Sequence, residues 1–349
     1  MSGASREHDA EVPLVRCRPT PDEFAWTFGG VAPVTRIRPG DAVALWTEDC
    51  YAGNVRGPDD LVSKVCEFPF LNPQTGPFYV EGASVGDTLA VHFVSIEPSR
   101  DYASSTTVPL FGALTSTHET ATLQDPLPEV VWMYDIDRKA RTATVRPIRG
   151  GPEVVMPLDP MHGTVGVAPA AMEVRSAIVP GAHGGNMDTP EMRAGVTAYF
   201  QVNLEGAMLC LGDGHGRQGE GESCGTALEA AMDTVMVVDV IPGVATPWPR
   251  LESDTHVMTV GSTKPLEDAF RIAHVDLVDQ VALRCGLDRL DAYQLVSQLA
   301  ESPIANVCNP TYSVVGKVRK DRLPGNDDPY HGAHERLREM ADLYRRVYA

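Results

Sequence analysis

The chain has 349 residues, 43 % hydrophobic and 22 % charged, with a formal net charge of −18 and an isoelectric point near 4.9. This is ordinary globular composition at a length that can bury a large core. The acidity excludes nucleic acid and anionic membrane as partners, because counterion release needs clustered Lys and Arg. No apolar run approaches the ~20 residues of a membrane span, and the polar N-terminus has no signal-peptide core. The seven cysteines (17, 50, 66, 210, 224, 285 and 308) are scattered with no CxxC pair, so neither a zinc ribbon nor a disulfide framework is indicated. A cytoplasmic protein with reduced thiols and neutral or cationic ligands is expected.

Residues 1–12 are polar and expected to be disordered, leaving 13–349 as the working region. After the turn Pro39-Gly40-Asp41, the run Ala42 to Thr47 predicts a strand closed by the acidic pair Glu48-Asp49. That pair is a solvated cap or part of a site built from strand ends. Asn72 to Asp87 holds two glycine turns around a short strand. Leu89, Val91 and Phe93 then alternate with Ala90, His92 and Val94, a strand pattern in which His92 reads as a packed core histidine. Further alternation occurs between Val130 and Ile148, and a boundary between two β-rich subdomains is placed near 125–160.

Pro157 to Pro169 is a glycine-proline stretch in which His162 is a site residue or a turn residue. Pro180 to Asp188 forms a glycine-cradled polar cluster with Asn186 and Asp188 two residues apart. Val196 to Val202 and Asp233 to Ile241 read as strands, as does Met258 to Gly261. A helix starts near Pro265, with Glu267 and Asp268 in its first turn and Gly286 as its stop. A second runs from about Arg289 to Ala300, with Leu290, Tyr293, Val296 and Leu299 on one face. Ile304 to Val318 returns to β character, and Ala333 to Tyr348 predicts a charged amphipathic helix. The expected fold is α+β and predominantly β, in sandwich- or barrel-like sheets, with a few helices near the C-terminus.

The chain is organised around Leu211 to Glu222, L-G-D-G-H-G-R-Q-G-E-G-E, where five of twelve positions are glycine. Asp213 and His215 share one face if they lie on an extended segment, and Glu220 and Glu222 repeat the spacing. One imidazole with several carboxylates suits a hard or borderline divalent cation, zinc or calcium. The same residues also fit a solvated acidic turn. An oxygen-rich calcium site without catalysis is a third reading.

The run Gly212 to Ala227 resembles the acetamidase/formamidase family. So do Gly184 to Asp188 (G-G-N-M-D), Asn72 to Ala83, Gly166 to Pro169 and Asp291 to Ser297, all in matching order. One departure is Trp46, which stands where an acidic residue commonly precedes the aspartate Asp49. The resemblance implies hydrolysis of short linear amides on a mostly β scaffold, with a divalent metal and homo-oligomeric assembly. On that basis Asp49, Asp188, Asp213 and His215 are the candidate metal ligands. Glu222 is the candidate general base and His215 its catalytic partner. Asn186, His162 and Cys224 are candidate substrate-binding residues. Cys224, two residues after Glu222, also offers an alternative as thiol nucleophile.

Overall fold

Runs rich in valine and aromatic residues, punctuated by glycine and proline, fold here mostly into strands. The computed structural model describes residues 5–7, 12–115, 125–325 and 327–348. The largest sheet has ten strands in the order Ser5–Glu7, Leu14–Cys17, Ala42–Thr47, Met232–Ile241, Thr88–Pro98, Thr197–Gln201, Arg250–Glu252, His256–Thr263, Tyr312–Arg319 and Ile304–Asn306. Its longest member, Thr88–Pro98, is buried on both faces. Leu89, Val91 and Phe93 enter the central core, while Ala90 and Val94 face the C-terminal helix.

The central core is closed by a five-stranded sheet: Gly184–Asn186, Met161–Gly166, Leu209–His215, Gln74–Val80 and Thr35–Ile37. Phe78, Val80, Val165, Leu209 and Leu211 of that sheet pack with Phe93, Phe200 and Met236 of the large one. Full burial of such side chains contributes about 1.5–3 kcal/mol each. A third, four-stranded sheet (Tyr102–Thr107, Val130–Asp137, Thr142–Val145 and Val154–Pro157) spans the stretch where a subdomain boundary is expected. Ala103, Ile136 and Ala143 of this sheet belong to the same core.

Three long helices cover the outer face, all in the C-terminal part as expected. Leu266–Cys285 begins after Pro265 and ends at Gly286, whose φ of 61° is the left-handed cap that glycine adopts cheaply. Ala333–Tyr348 lays Ala333, Leu337 and Ala341 on the large sheet. Arg289–Leu299 buries only part of the face that the spacing grouped together. Ala292 and Val296 are buried, whereas Leu290 is 73 % exposed and Tyr293 is exposed too. The helix turns toward Leu277 and Val281 of its neighbour, so the stripe 292, 295, 296, 299 is the one covered. Expected disorder over 1–12 falls mostly outside the described residues, but Ser5–Glu7 pairs antiparallel with Leu14–Cys17 and Val12 is buried. No helix among the described residues is long and apolar enough to cross a membrane.

Candidate active site

The glycine-rich stretch continues a strand rather than forming a free loop. Leu209–His215 pairs with Met161–Gly166, and Asp213 and His215 point to one face as their spacing requires. Gly163, on the paired strand, explains how the site closes. A Cβ there would lie 2.3 Å from Asp188 Oδ1, 2.6 Å from Asp213 Oδ2 and 3.0 Å from His215 Cε1. Only a residue without a side chain lets three polar groups converge at that point. Three of the acids also hold left-handed backbone conformations, with φ of 45° at Asp188, 53° at Asp213 and 44° at Glu222. Such conformations cost of order 1–3 kcal/mol each in a non-glycine residue and gather at functional sites.

Asp188, His215 and Glu222 form one group of donors and Cys50, Asp213 and Glu229 a second, each with its donor atoms within 4.8 Å of one another. His215 joins the two groups, its Nε2 lying 3.4 Å from Asp213 Oδ1 and 3.3 Å from Glu229 Oε2. Its protonation is fixed by Gln218. The Gln218 amide nitrogen donates to the carbonyls of Asp188 (2.6 Å) and Ala305 (3.0 Å), which leaves Oε1 to accept from His215 Nδ1 at 2.9 Å. The Nδ1 position therefore carries the proton, and Nε2 is turned toward carboxylates. Asn186 settles with its amide nitrogen toward Asp213 Oδ2 (2.7 Å) and Asp188 Oδ1 (3.1 Å), accepting from Asn309 Nδ2 at 3.1 Å. Asn72 Nδ2 donates to Asp213 Oδ2 at 3.0 Å, Asn309 donates to Asp188, and the Cys308 thiol donates to Glu222 at 3.3 Å.

Four buried acids thus face one imidazole. Burial, with Glu222 and Asp213 beside it, holds the Asp188 carboxyl well above its usual pKa. Burial also pushes Glu222 up to about 7, with Glu229 and Asp213 adding to it against the opposing pull of His215. Burial alone would lower His215, but Glu229 and Asp213 outweigh it, so the ring holds its proton well above the usual value. Glu229 Oε2 is buried and meets His215 Nε2 at 3.3 Å without good hydrogen-bond geometry. The donor set fits a divalent cation: excess buried negative charge, a carboxylate oxygen poorly satisfied by hydrogen bonds, and an imidazole nitrogen aimed among them.

Asp213, Glu222 and Glu229 open onto a cavity of about 410 Å³, together with Asn72, Asn186 and Asn309. The structure brings Asp188, Asp213, His215, Glu222 and Asn186 together but leaves three expected residues elsewhere. Asp49 is taken out of the ligand set. Its Oδ2 accepts from Arg100 at 3.1 Å, and its Oδ1 accepts from the backbone of Tyr51 and Gly53, so it closes the turn after its strand. His162 lies one residue before Gly163, so strand alternation turns it to the opposite face. There its nitrogens meet Gly212 O (2.9 Å) and Thr234 Oγ1 (2.8 Å), away from the cavity. Cys224 is exposed, and its thiol donates to Thr226 O at 3.1 Å.

Cys50, Glu229, Asn72, Asn309 and Cys308 were not anticipated. Glu229 carried a signal, since a lone acid inside A-L-E-A-A is an acid that must be buried with a purpose. The two asparagines carried none, because uncharged polar residues beside prolines look like turns.

A buried acid-imidazole centre beneath a cavity with convergent amide groups defines a small-molecule enzyme site. The acetamidase/formamidase family model matches residues 26–177 and 170–271. The fold is similar to an acetamidase from Yersinia enterocolitica, at 38 % identity over 86 % of this chain and 90 % of that one, with a TM-score of 0.81. An acetamidase from Bacillus halodurans is 28 % identical over 88 % of this chain and 99 % of that one, with a TM-score of 0.78. A predicted acetamidase/formamidase from Thermoanaerobacter tengcongensis is 28 % identical over 89 % and 97 %, also at 0.78. No curated protein sequence matches. The chain belongs to the acetamidase/formamidase family and is an amidase-type hydrolase acting on amide C–N bonds.

Proposed function

We propose that the enzyme hydrolyses linear, non-peptide primary amides, with formamide and acetamide as the smallest, to the carboxylate and ammonia. Asp188, Asp213 and His215 would hold a divalent cation, and Glu222 would act as general base. The observation that carries the metal is the His215–Gln218 contact, which turns an imidazole nitrogen toward buried acids. An imidazole among carboxylates suits zinc better than an all-oxygen calcium cage. When bound, such an ion supplies Lewis acidity that acidifies a water and polarises an amide carbonyl.

The chain's own residues do the rest. Glu222 lines the cavity and belongs to the donor group of Asp188 and His215, within reach of a water proton, which it would take up and return to the leaving nitrogen. Asn309 and Asn72 hold Asp188 and Asp213 in register, and the Cys308 thiol orients Glu222. Asn186 bridges the two aspartates and lines the cavity beside the place an amide would occupy. The test is ammonia release from formamide and acetamide before and after chelation, with metal content read by mass spectrometry. Turnover that disappears with the ion and returns on adding zinc is expected. Turnover untouched in metal-free protein would overturn the metal reading and direct attention to the thiols.

A further inference from the structure

The cavity is far larger than the smallest amides need. Even at the ~30 Å³ each water takes in the liquid, the four heavy atoms of acetamide occupy about 120 Å³. The space available is about 410 Å³. Its lining is also largely apolar. Beside the acids and amides of the reaction centre, apolar side chains such as Val62, Val108, Phe111 and Ile178 make up most of the lining, with Lys264 stacked over Tyr312 as the one cation among the described lining residues. Water in such a chamber gains few hydrogen bonds, so an apolar group that displaces it binds favourably.

The apolar wall is held in place by its own bonds. Ala113 N donates to Ser223 O at 2.8 Å, and Thr106 N donates to Thr226 Oγ1 at 3.0 Å, which ties residues 106–113 to the segment after Glu222. Gly112 sits so close to Cys224 that a Cβ there would lie 2.7 Å from its carbonyl oxygen. These contacts hold that part of the wall in place beside Glu222.

We propose that the preferred substrates are primary amides with a bulky apolar acyl group, arylacetyl or medium-chain alkyl, rather than formamide or acetamide. This rests on the amidase reading of the same site. The carboxamide lies among Asn186, Asp213 and Glu222, and the acyl group lies against apolar lining residues such as Val108 and Ile178. No new chemistry is needed: water adds to the carbonyl carbon, the C–N bond breaks, and the nitrogen leaves as ammonia with the transferred proton.

The experiment compares kcat/KM for formamide, acetamide, butyramide, hexanamide and phenylacetamide on the metal-loaded enzyme, alongside calorimetric binding of phenylacetamide and acetamide. Each methylene buried is worth about fourfold, so a rise of about tenfold or more from acetamide to butyramide is expected, with phenylacetamide higher still. Val108→Trp fills the chamber and is expected to lower the phenylacetamide-to-acetamide ratio about tenfold or more. Ile178→Trp, at a second lining residue, serves the same purpose should the first variant fold poorly. A kcat/KM that falls steadily from formamide upward overturns the proposal and leaves the amidase intact. Absence of turnover on every amide removes the amidase reading instead, and binding then decides. Saturable phenylacetamide binding weakened by Val108→Trp supports the apolar chamber, and no binding overturns it.

Discussion

At the scale of single residues, the site is assembled against local backbone preference. Asp188, Asp213 and Glu222 all hold positive φ, and their carboxylates crowd one another in a dry space. Glu222→Gly relieves both burdens. It is expected to abolish ammonia release while raising the stability of the metal-free protein by about 1–3 kcal/mol in urea titration. Unchanged stability would show that neither burden is stored there. Gln218 acts on the same centre through His215. Gln218→Leu removes the acceptor that fixes the Nδ1 proton, and a loss of about 10–100-fold in metal affinity is expected from competition with a chelator. Of these residues, Asp213, His215 and Glu222 were legible because they stand together among glycines. Asn309 was not, because its contact with Asp188 joins segments 121 residues apart.

At the scale of elements, position in the fold decides what an apolar residue is worth. Leu337 is buried where the C-terminal helix meets the large sheet, and Leu290 sits 73 % exposed on a shorter helix. Leu337→Ala is expected to cost about 2–5 kcal/mol by the loss of transfer energy and the cavity left behind. Leu290→Ala is expected to stay within about 0.5 kcal/mol. Equal losses in denaturant melts would contradict the assigned faces. Helical spacing announced both helices and their caps. It did not tell the stripe 290, 293, 296, 299 from the stripe 292, 295, 296, 299, since both keep the period and only the neighbouring helix selects between them.

At the scale of the whole molecule, buried histidines couple the fold to acidity. Burial holds His92 down to about 3, with His334 adding to it, and burial with Arg175 nearby holds His183 at about 3 as well. The unfolded chain protonates these rings from about pH 6.5 downward, while the folded chain resists until about 3. Their contribution is therefore fully present above 6.5 and is lost as the pH falls toward 3, at about 1.4 kcal/mol per pH unit for each ring. Neither nitrogen of His183 has a hydrogen-bond partner, and the ring packs edge-on to Phe28. His183→Leu is accordingly expected to flatten the acid limb and to raise stability at pH 5, measured by thermal melts across pH 4 to 7. A limb as steep as in the parent protein would contradict this assignment.

The sequence by itself determined the β-rich architecture, the three C-terminal helices, and the acids and imidazole of the site that lie near one another in the chain. Those follow from local rules: period of side-chain burial, turn chemistry, and the two-residue spacing that puts Asp213 and His215 on one face. Tertiary structure decided which residue came in and which stayed out. Asn309 reaches Asp188 across 121 residues, and Asp49 turns to Arg100 although it carries the family position. It also decided that a cavity lined largely by apolar residues adjoins the acids. The physical reason is common to all of these. Charge pairing, metal-ligand geometry and cavity volume depend on distances between segments far apart in the chain, and no local preference encodes such distances.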